Sequence, residues 1–415
     1  MVEETLSASS NQTRGAHSET HAFIIKVGMM LHQFGTPAHR LERIMAEVAQ
    51  MLGTEGTFLY TPTALVLSIG RDDQEVTYLR RVDCGNVDVD KLIRFDETLE
   101  HLEASEIGVS EASRRFDEIA ESNPLYPTWL TTVACAFSCA AVATLFRGGL
   151  YEIIAAAGVG LSVGVVELIA QRLNAERGIL EPLAGFVASV GTLATAHYFV
   201  PIDDRLATLA GLIILIPGLG ITVALTELAV GHLSAGVARL AGSCVSLLTI
   251  IIGVAFGWRV AAASWRNIPD APAWPIPEYW QWAAMVVAPL TFAIVFRAKW
   301  PQWPTIIIVT VLGFLASRFA GDHFGVEVGA FCGALAVGAS SNVYARARNR
   351  PALVPLTPGI IVLVPGSVGF RSLAALLDHE TVVGIEFAFT MVIVAASLVG
   401  GILAANAIVP PKRIL

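Results

Sequence analysis

Two Pro-Gly pairs stand in the middle of long aliphatic runs, at Pro217-Gly218 and Pro365-Gly366. Inside an apolar helix a proline removes a backbone donor and clashes with the preceding turn, so each pair frees amides and carbonyls that lipid cannot satisfy. These groups must face protein or a watery cavity. There the positive end of the half-helix that follows can meet an anion. Polar side chains follow both breaks: Thr222 and Thr226, one helical turn apart, with Glu227 beside that face, and then Ser367 and Arg371. Ser367 falls where the freed amides would hold an anion, and Arg371 offers a planar fork to a substrate carboxylate. Each charge has a plainer alternative. Glu227 and Arg371 can be solvated interface residues, and Arg239 either snorkels to the same interface or pairs with Glu227.

Other ionisable groups lie in apolar surroundings. Glu167 and Glu386 are well inside their runs, where a partly desolvated carboxyl titrates nearer neutrality, so with Glu227 they are the candidates for carrying a coupling proton. Glu152, His197 and Glu327 fall near span ends, where solvation is expected. Cys135 and Cys139 share a helix face without an accompanying His or carboxylate, so neither a metal site nor a cofactor is expected.

The elements that hold these residues follow from composition. Of 415 residues, 54% are hydrophobic and 15% charged, and the mean hydropathy is +0.63. This describes a polytopic membrane protein. Residues 1–127 hold 21 acids against 11 bases, whereas residues 128–415 hold 14 against 16, so the acidic, soluble part is the first third. No segment has the dense basic face that a nucleic-acid binder needs. Five cysteines, four of them in apolar runs, do not make a disulfide framework.

Residues 1–20 are polar and read as a disordered tail, with no cleavable signal peptide and the N-terminus in the cytoplasm. Residues 21–127 form a small α+β domain. Its first helix ends at Gly35-Thr36-Pro37, and its second runs to Gly53. A hairpin of 57–69 and 74–82 turns at Gly70 to Asp73, and helices follow near 88–104 and 110–121. No nucleophile-base spacing appears there, so an enzyme is not expected.

Ten apolar spans are expected, at 128–146, 149–169, 180–200, 206–229, 234–257, 279–298, 304–319, 326–344, 355–377 and 382–408. Gly211 to Gly218 reappears 148 residues later as Gly359 to Gly366, aliphatic at every intervening position, and the same shift lays spans 1 to 5 on spans 6 to 10. Halves with an odd number of spans must face opposite ways. The expected fold is therefore mostly α, with two inverted five-helix repeats at 128–257 and 279–415 joined by an extracytoplasmic loop, 258–278. With both termini inside, the cytoplasmic flanks carry eleven Arg and Lys and the outer loops six, the bias that the positive-inside rule requires.

Three groups of residues then carry a resemblance. Gly35, Arg40 and Glu42 lie in the first helical pair. The string Pro217-Gly218, Thr222, Glu227-Leu228, Gly231, Gly236, Arg239 follows, and Pro358-Gly359, Pro365-Gly366-Ser367 comes last. Together, over nearly all of the chain after about residue 20, they resemble the threonine/serine exporter family in a form with both halves fused. The resemblance implies export of threonine and serine driven by the proton motive force. At Glu227 the family often has Asp. Split members similar to these halves are associated with dicarboxylate export, so a succinate-like substrate is the alternative. A membrane-anchored sensor acting through residues 21–121 is a third reading, against which ten spans weigh heavily. The expected partners are the small-molecule substrate, protons and the bilayer of the cell membrane, with homo-oligomerisation left open.

Span parity and charge bias make one prediction together. In a cysteine-free variant, single cysteines in 345–352 and at both termini should label from the cytoplasmic side only, and those in 258–278 from the other. Labelling of 258–278 only from the cytoplasmic side would remove the opposed-halves reading.

Overall fold

The computed structural model describes residues 19–70, 75–83, 85, 87–173, 178–265 and 276–411. Most of the expected tail, the turn after Gly70 and the centre of the 258–278 loop lie outside these residues.

The N-terminal domain begins with α1 (19–33) and α2 (Ala38–Met51), joined at Gly35, whose φ of +77° makes the corner. The stretch expected as one strand, 57–69, is two: β1 (Gly56–Thr61) and β2 (Ala64–Ile69) pair antiparallel, and β3 (Val76–Arg81) adds to β2. Pro62 explains the difference, because it cannot donate to a ladder, and Thr61 Oγ1 accepts from Ala64 N at 3.0 Å to close the turn. Two helices, α3 (Val89–Glu103) and α4 (Val109–Glu121), complete the domain. Its core includes Phe23, Leu31, Met45, Leu65, Phe95 and Phe116, the last two stacked at 4.6 Å.

The remaining helices are α5 (Thr128–Leu145), α6 (Leu150–Arg172), α7 (Leu180–Tyr198), α8 (Asp204–Gly211), α9 (Gly218–Ala229) and α10 (Leu233–Ser264). After them come α11 (Tyr279–Val295), α12 (Trp303–Phe324), α13 (Val326–Arg348), α14 (Leu353–Ile361), α15 (Gly366–Leu377) and α16 (Thr381–Ile408). Among the described residues, seven helical stretches are long and apolar enough to cross a membrane, and α9 and α11 are shorter apolar helices. Of the ten apolar spans expected, two of them broken at Pro-Gly pairs, seven meet that length and composition as helical stretches. The run 206–229 is divided at Pro217, α11 has 17 residues, and α7 carries Glu181 and His197 near its ends. The fifth run also extends beyond 257, because α10 continues through Trp258 to Ser264.

Helix pairings recur between the halves. The contacts α5–α6, α6–α7, α7–α10, α6–α8 and α9–α10 have counterparts in α11–α12, α12–α13, α13–α16, α12–α14 and α15–α16. Crosswise, α10 packs on α15 and α16 on α9. Close approaches repeat at the same 148-residue interval. A Cβ on Gly253 would come within 2.0 Å of Pro182 O, and one on Gly401 within 2.4 Å of Phe331 O. Tyr126, just before α5, donates to Ala298 O, just after α11, so the start of one helix and the end of the other share a side.

That side carries the N-terminal domain. Asp88 pairs with Arg297 and Asp90 with Lys299, both at 2.8 Å, Glu97 pairs with Arg350, and Val89 N donates to Phe296 O. The C-terminal end joins the same side through Arg346 Nε to Pro410 O at 2.8 Å. Deep in the membrane part the halves meet where Ser138 of α5 donates to Thr291 of α11 at 2.7 Å, with both side chains buried.

That contact is open to test. With the native cysteines removed, Ser138→Cys with Thr291→Cys should form a disulfide on mild oxidation, seen as a faster band on a non-reducing gel. No crosslink would mean that α5 and α11 do not pack here.

Candidate functional site

Each Pro-Gly break ends one helix and starts another. After α8 the chain tightens into turns, with Gly218 N donating to Ile216 O at 2.7 Å across Pro217, and α9 starts at Gly218. After α14, Leu363 N reaches Ile360 O at 2.9 Å, and α15 starts at Gly366. The two breaks touch. A Cβ on Gly218 would lie 3.2 Å from Gly366 Cα, and one on Gly366 would lie 3.1 Å from Gly218 Cα, so only glycine lets the two backbones come this close.

Two helix N-termini therefore converge. No side chain caps either one. The amides of Leu219, Gly220, Gly366 and Ser367 have no acceptor among the described residues. Beside them is a cavity of about 130 Å³ walled by Val142, Phe146, Phe292, Phe314 and Ile361, with Ser367 its only polar side chain. That is roughly four water volumes. Two positive dipole ends facing an apolar enclosure favour negative charge there, because the low dielectric strengthens what the amides offer.

Glu227 lies elsewhere. Gly231, at φ +93°, turns the chain sharply after α9, and a Cβ on Gly236 would sit 2.9 Å from Ala224 O, so α9 and α10 form a close hairpin. The hairpin brings Glu227 opposite Arg239, whose Nε and Nη2 reach the two carboxylate oxygens at 3.0 and 3.1 Å. Glu227 Oε1 also accepts from Ala38 N at 2.9 Å, the first amide of α2, and Arg239 Nη2 reaches Tyr60 Oη at 3.3 Å. The carboxylate is fully buried. It is not a solvated interface charge and borders neither the cavity at the breaks nor the one that Thr222 and Thr226 face: it joins the membrane hairpin to the N-terminal domain. Glu42 strengthens the joint, accepting from Tyr60 N at 2.9 Å and lying 3.2 Å from His232 Nδ1.

Thr222 and Thr226 face a second cavity of about 360 Å³, between the start of α2 and helices α9, α14 and α16. Their hydroxyls donate to Gly218 O and Thr222 O within α9. Leu219 borders both cavities. Arg371 is exposed, with its guanidinium 5.4 Å from the centre of the Phe146 ring, so Phe146 stands between it and the cavity at the breaks. Glu167 is half-buried near the end of α6, and Glu386 is exposed near the start of α16. Glu152 is buried rather than solvated and accepts from Asp203 N at 3.1 Å.

A family model for the threonine/serine exporter matches residues 22–261, and a second, Threonine/Serine exporter ThrE, matches residues 281–408. The chain belongs to the threonine/serine exporter family. It is a multi-pass membrane protein of a transporter family. Curated proteins similar to it include three named pheromone-regulated membrane protein 10. The one from Candida albicans is 28% identical over 84% of this chain and 33% of its own length. That from Eremothecium gossypii is 26% identical over 95% and 56%, and that from Saccharomyces cerevisiae 24% over 95% and 54%. The chain thus spans between a third and just over half of these relatives. No solved structure matches it.

Of the two readings the sequence left for Arg239, the structure shows the ion pair with Glu227. What escaped the sequence is the place of Leu219 on both cavities, which had no signal among so many aliphatic residues. The string Glu227, Gly231, Gly236, Arg239 carried a signal for the hairpin: glycines at a turn and at a close approach, flanked by opposite charges, encode a hairpin that closes on an ion pair.

Removing one member of that pair leaves the other charge buried. Glu227→Gln should cost about 3–5 kcal/mol on the general scale for breaking buried pairs, and Glu227→Gln with Arg239→Gln should recover part of it. Thermal unfolding of all four proteins in detergent measures the cycle, and additive losses would contradict the pairing.

Proposed function

We propose that this protein is a secondary active exporter of threonine and serine, driven by the proton gradient across the cell membrane, with both termini cytoplasmic. The observation that carries the reading is the contact between the breaks at Gly218 and Gly366, with two helix N-termini opening on one cavity. In two inverted five-span repeats, such a meeting point near the midplane is where transporters hold substrate. The recurring helix pairs and the opposed placement of α5 and α11 support that repeat.

In this reading the substrate carboxylate binds the amides at the starts of α9 and α15, with Ser367 beside it. The ammonium group takes carbonyls freed at the ends of α8 and α14. The apolar walls accept the small side chain and exclude water. Arg371, beyond Phe146, is placed to meet the carboxylate on the far side of the cavity. Coupling to protons falls to a carboxyl on the pathway. Glu167 and Glu386 are the exposed or half-buried candidates, whereas protonating Glu227 would release α2 from α9 and so connect coupling to the N-terminal domain.

Counterflow in proteoliposomes tests the reading. Labelled threonine and serine should exchange, and an inward proton gradient should drive threonine uphill. Gly366→Val forces the breaks apart and should lower flux on the order of 100-fold, the scale of a 1 Å misplacement. Exchange of succinate alone would favour a dicarboxylate exporter, and exchange of none of the three would favour the sensor.

A further inference from the structure

Arg40 points into the second cavity with nothing to hold it. The residue is 8% exposed, its Nη1 is buried, and the guanidinium makes no hydrogen bond or ion pair among the described residues. A buried cation is ordinarily matched by an acid. Here the nearby acids are committed: Glu227 to Arg239 and Ala38 N, Glu42 to Tyr60 N and His232. Losing the proton is no escape, because burial, with Arg43 close by, lowers the Arg40 pKa only to about 10. The rest of the lining supplies no counter-charge. Arg43 borders the same space, and His39 is held neutral, its pKa pushed down to about 3 by burial and by the positive groups around it.

Hydroxyls complete the enclosure. Thr222 and Thr226 come from α9 and Thr357 from α14, so a guanidinium on one wall faces hydroxyls on two others. The space, about 360 Å³, admits a small organic acid with some water. It lies on the side of the N-terminal domain, and Leu219 borders both it and the cavity at the breaks.

We propose that Arg40 is the anchor of a carboxylate-binding site between the N-terminal domain and the membrane helices. Its guanidinium takes one carboxylate of a small organic acid in bidentate fashion, and Thr222, Thr226 and Thr357 meet the polar groups on the other end. If the export reading holds, on which this part rests, the ligand is the exported amino acid, selected here before it passes Leu219. The N-terminal domain then supplies a substrate-binding residue rather than only a support.

Calorimetric titration of the full chain in nanodiscs tests the site, using L-threonine, L-threonine amide, which lacks the carboxylate, and succinate. Wild type should bind threonine or succinate at least tenfold more tightly than the amide. In Arg40→Gln that preference should vanish, and in Arg40→Lys it should return in part. Because Arg40 is unpaired, Arg40→Gln should unfold at no lower temperature than wild type without ligand. A lower one would show that the charge is held by protein and would overturn the proposal, as would an undiminished preference in Arg40→Gln or no carboxylate binding by wild type. The export reading is judged separately. Arg40-dependent binding without counterflow of any probe would leave the site standing and remove the exporter, whereas counterflow with no loss of affinity in Arg40→Gln would do the reverse.

Discussion

A broken helix in a membrane must hide its unpaired backbone from lipid, and this fold meets that constraint by placing one break against another. Gly218 and Gly366 are so close that a side chain on either would crowd the facing backbone and displace Val364 or Ile216. Once they touch, much else is fixed. α9 and α15 must start from a common point, α10 and α16 must fold back on them, and each of these must pack on the other half. The same contact leaves free amides in an apolar enclosure, so the structural solution and the candidate binding site are one arrangement.

A second constraint joins the N-terminal domain to this core. The Glu227 carboxylate receives Arg239 from the membrane hairpin and the Ala38 amide from α2, so α9 is tied to α2 and, through Arg239 and Tyr60, to β1. On the other half, α3 is held by Arg297, Lys299 and Arg350. The domain thus spans both halves on one side of the membrane. Any rearrangement that moves one half against the other must strain or release these pairs, which makes the domain a natural place for gating.

Much of this was legible in the chain. Prolines and glycines in aliphatic runs mark breaks whatever surrounds them, and their 148-residue interval located two equivalent points. Helix limits followed from apolar length and from Pro and Gly punctuation. The failures share a cause. Glu227 was read against a bilayer, as a charge in a pathway, at an interface or paired with Arg239; the pair is there, but nothing in the linear order places α2 over it. Thr222 and Thr226 were assigned to the break for the same reason, although helical geometry turns them toward the second cavity. Pro62, passed over inside a β-rich stretch, divides it into two strands. Arg40 carried a motif signal but no sign of being unpaired, which only the three-dimensional neighbourhood can give.

The most direct test of the central claim is a cryo-EM map of the full chain in nanodiscs with saturating L-threonine. The account predicts α9 and α15 as separate half-helices meeting at Gly218 and Gly366, with ligand density against the amides of Leu219 and Ser367. A continuous helix through either Pro-Gly pair, or an empty cavity there with threonine bound elsewhere in the membrane part, would contradict it.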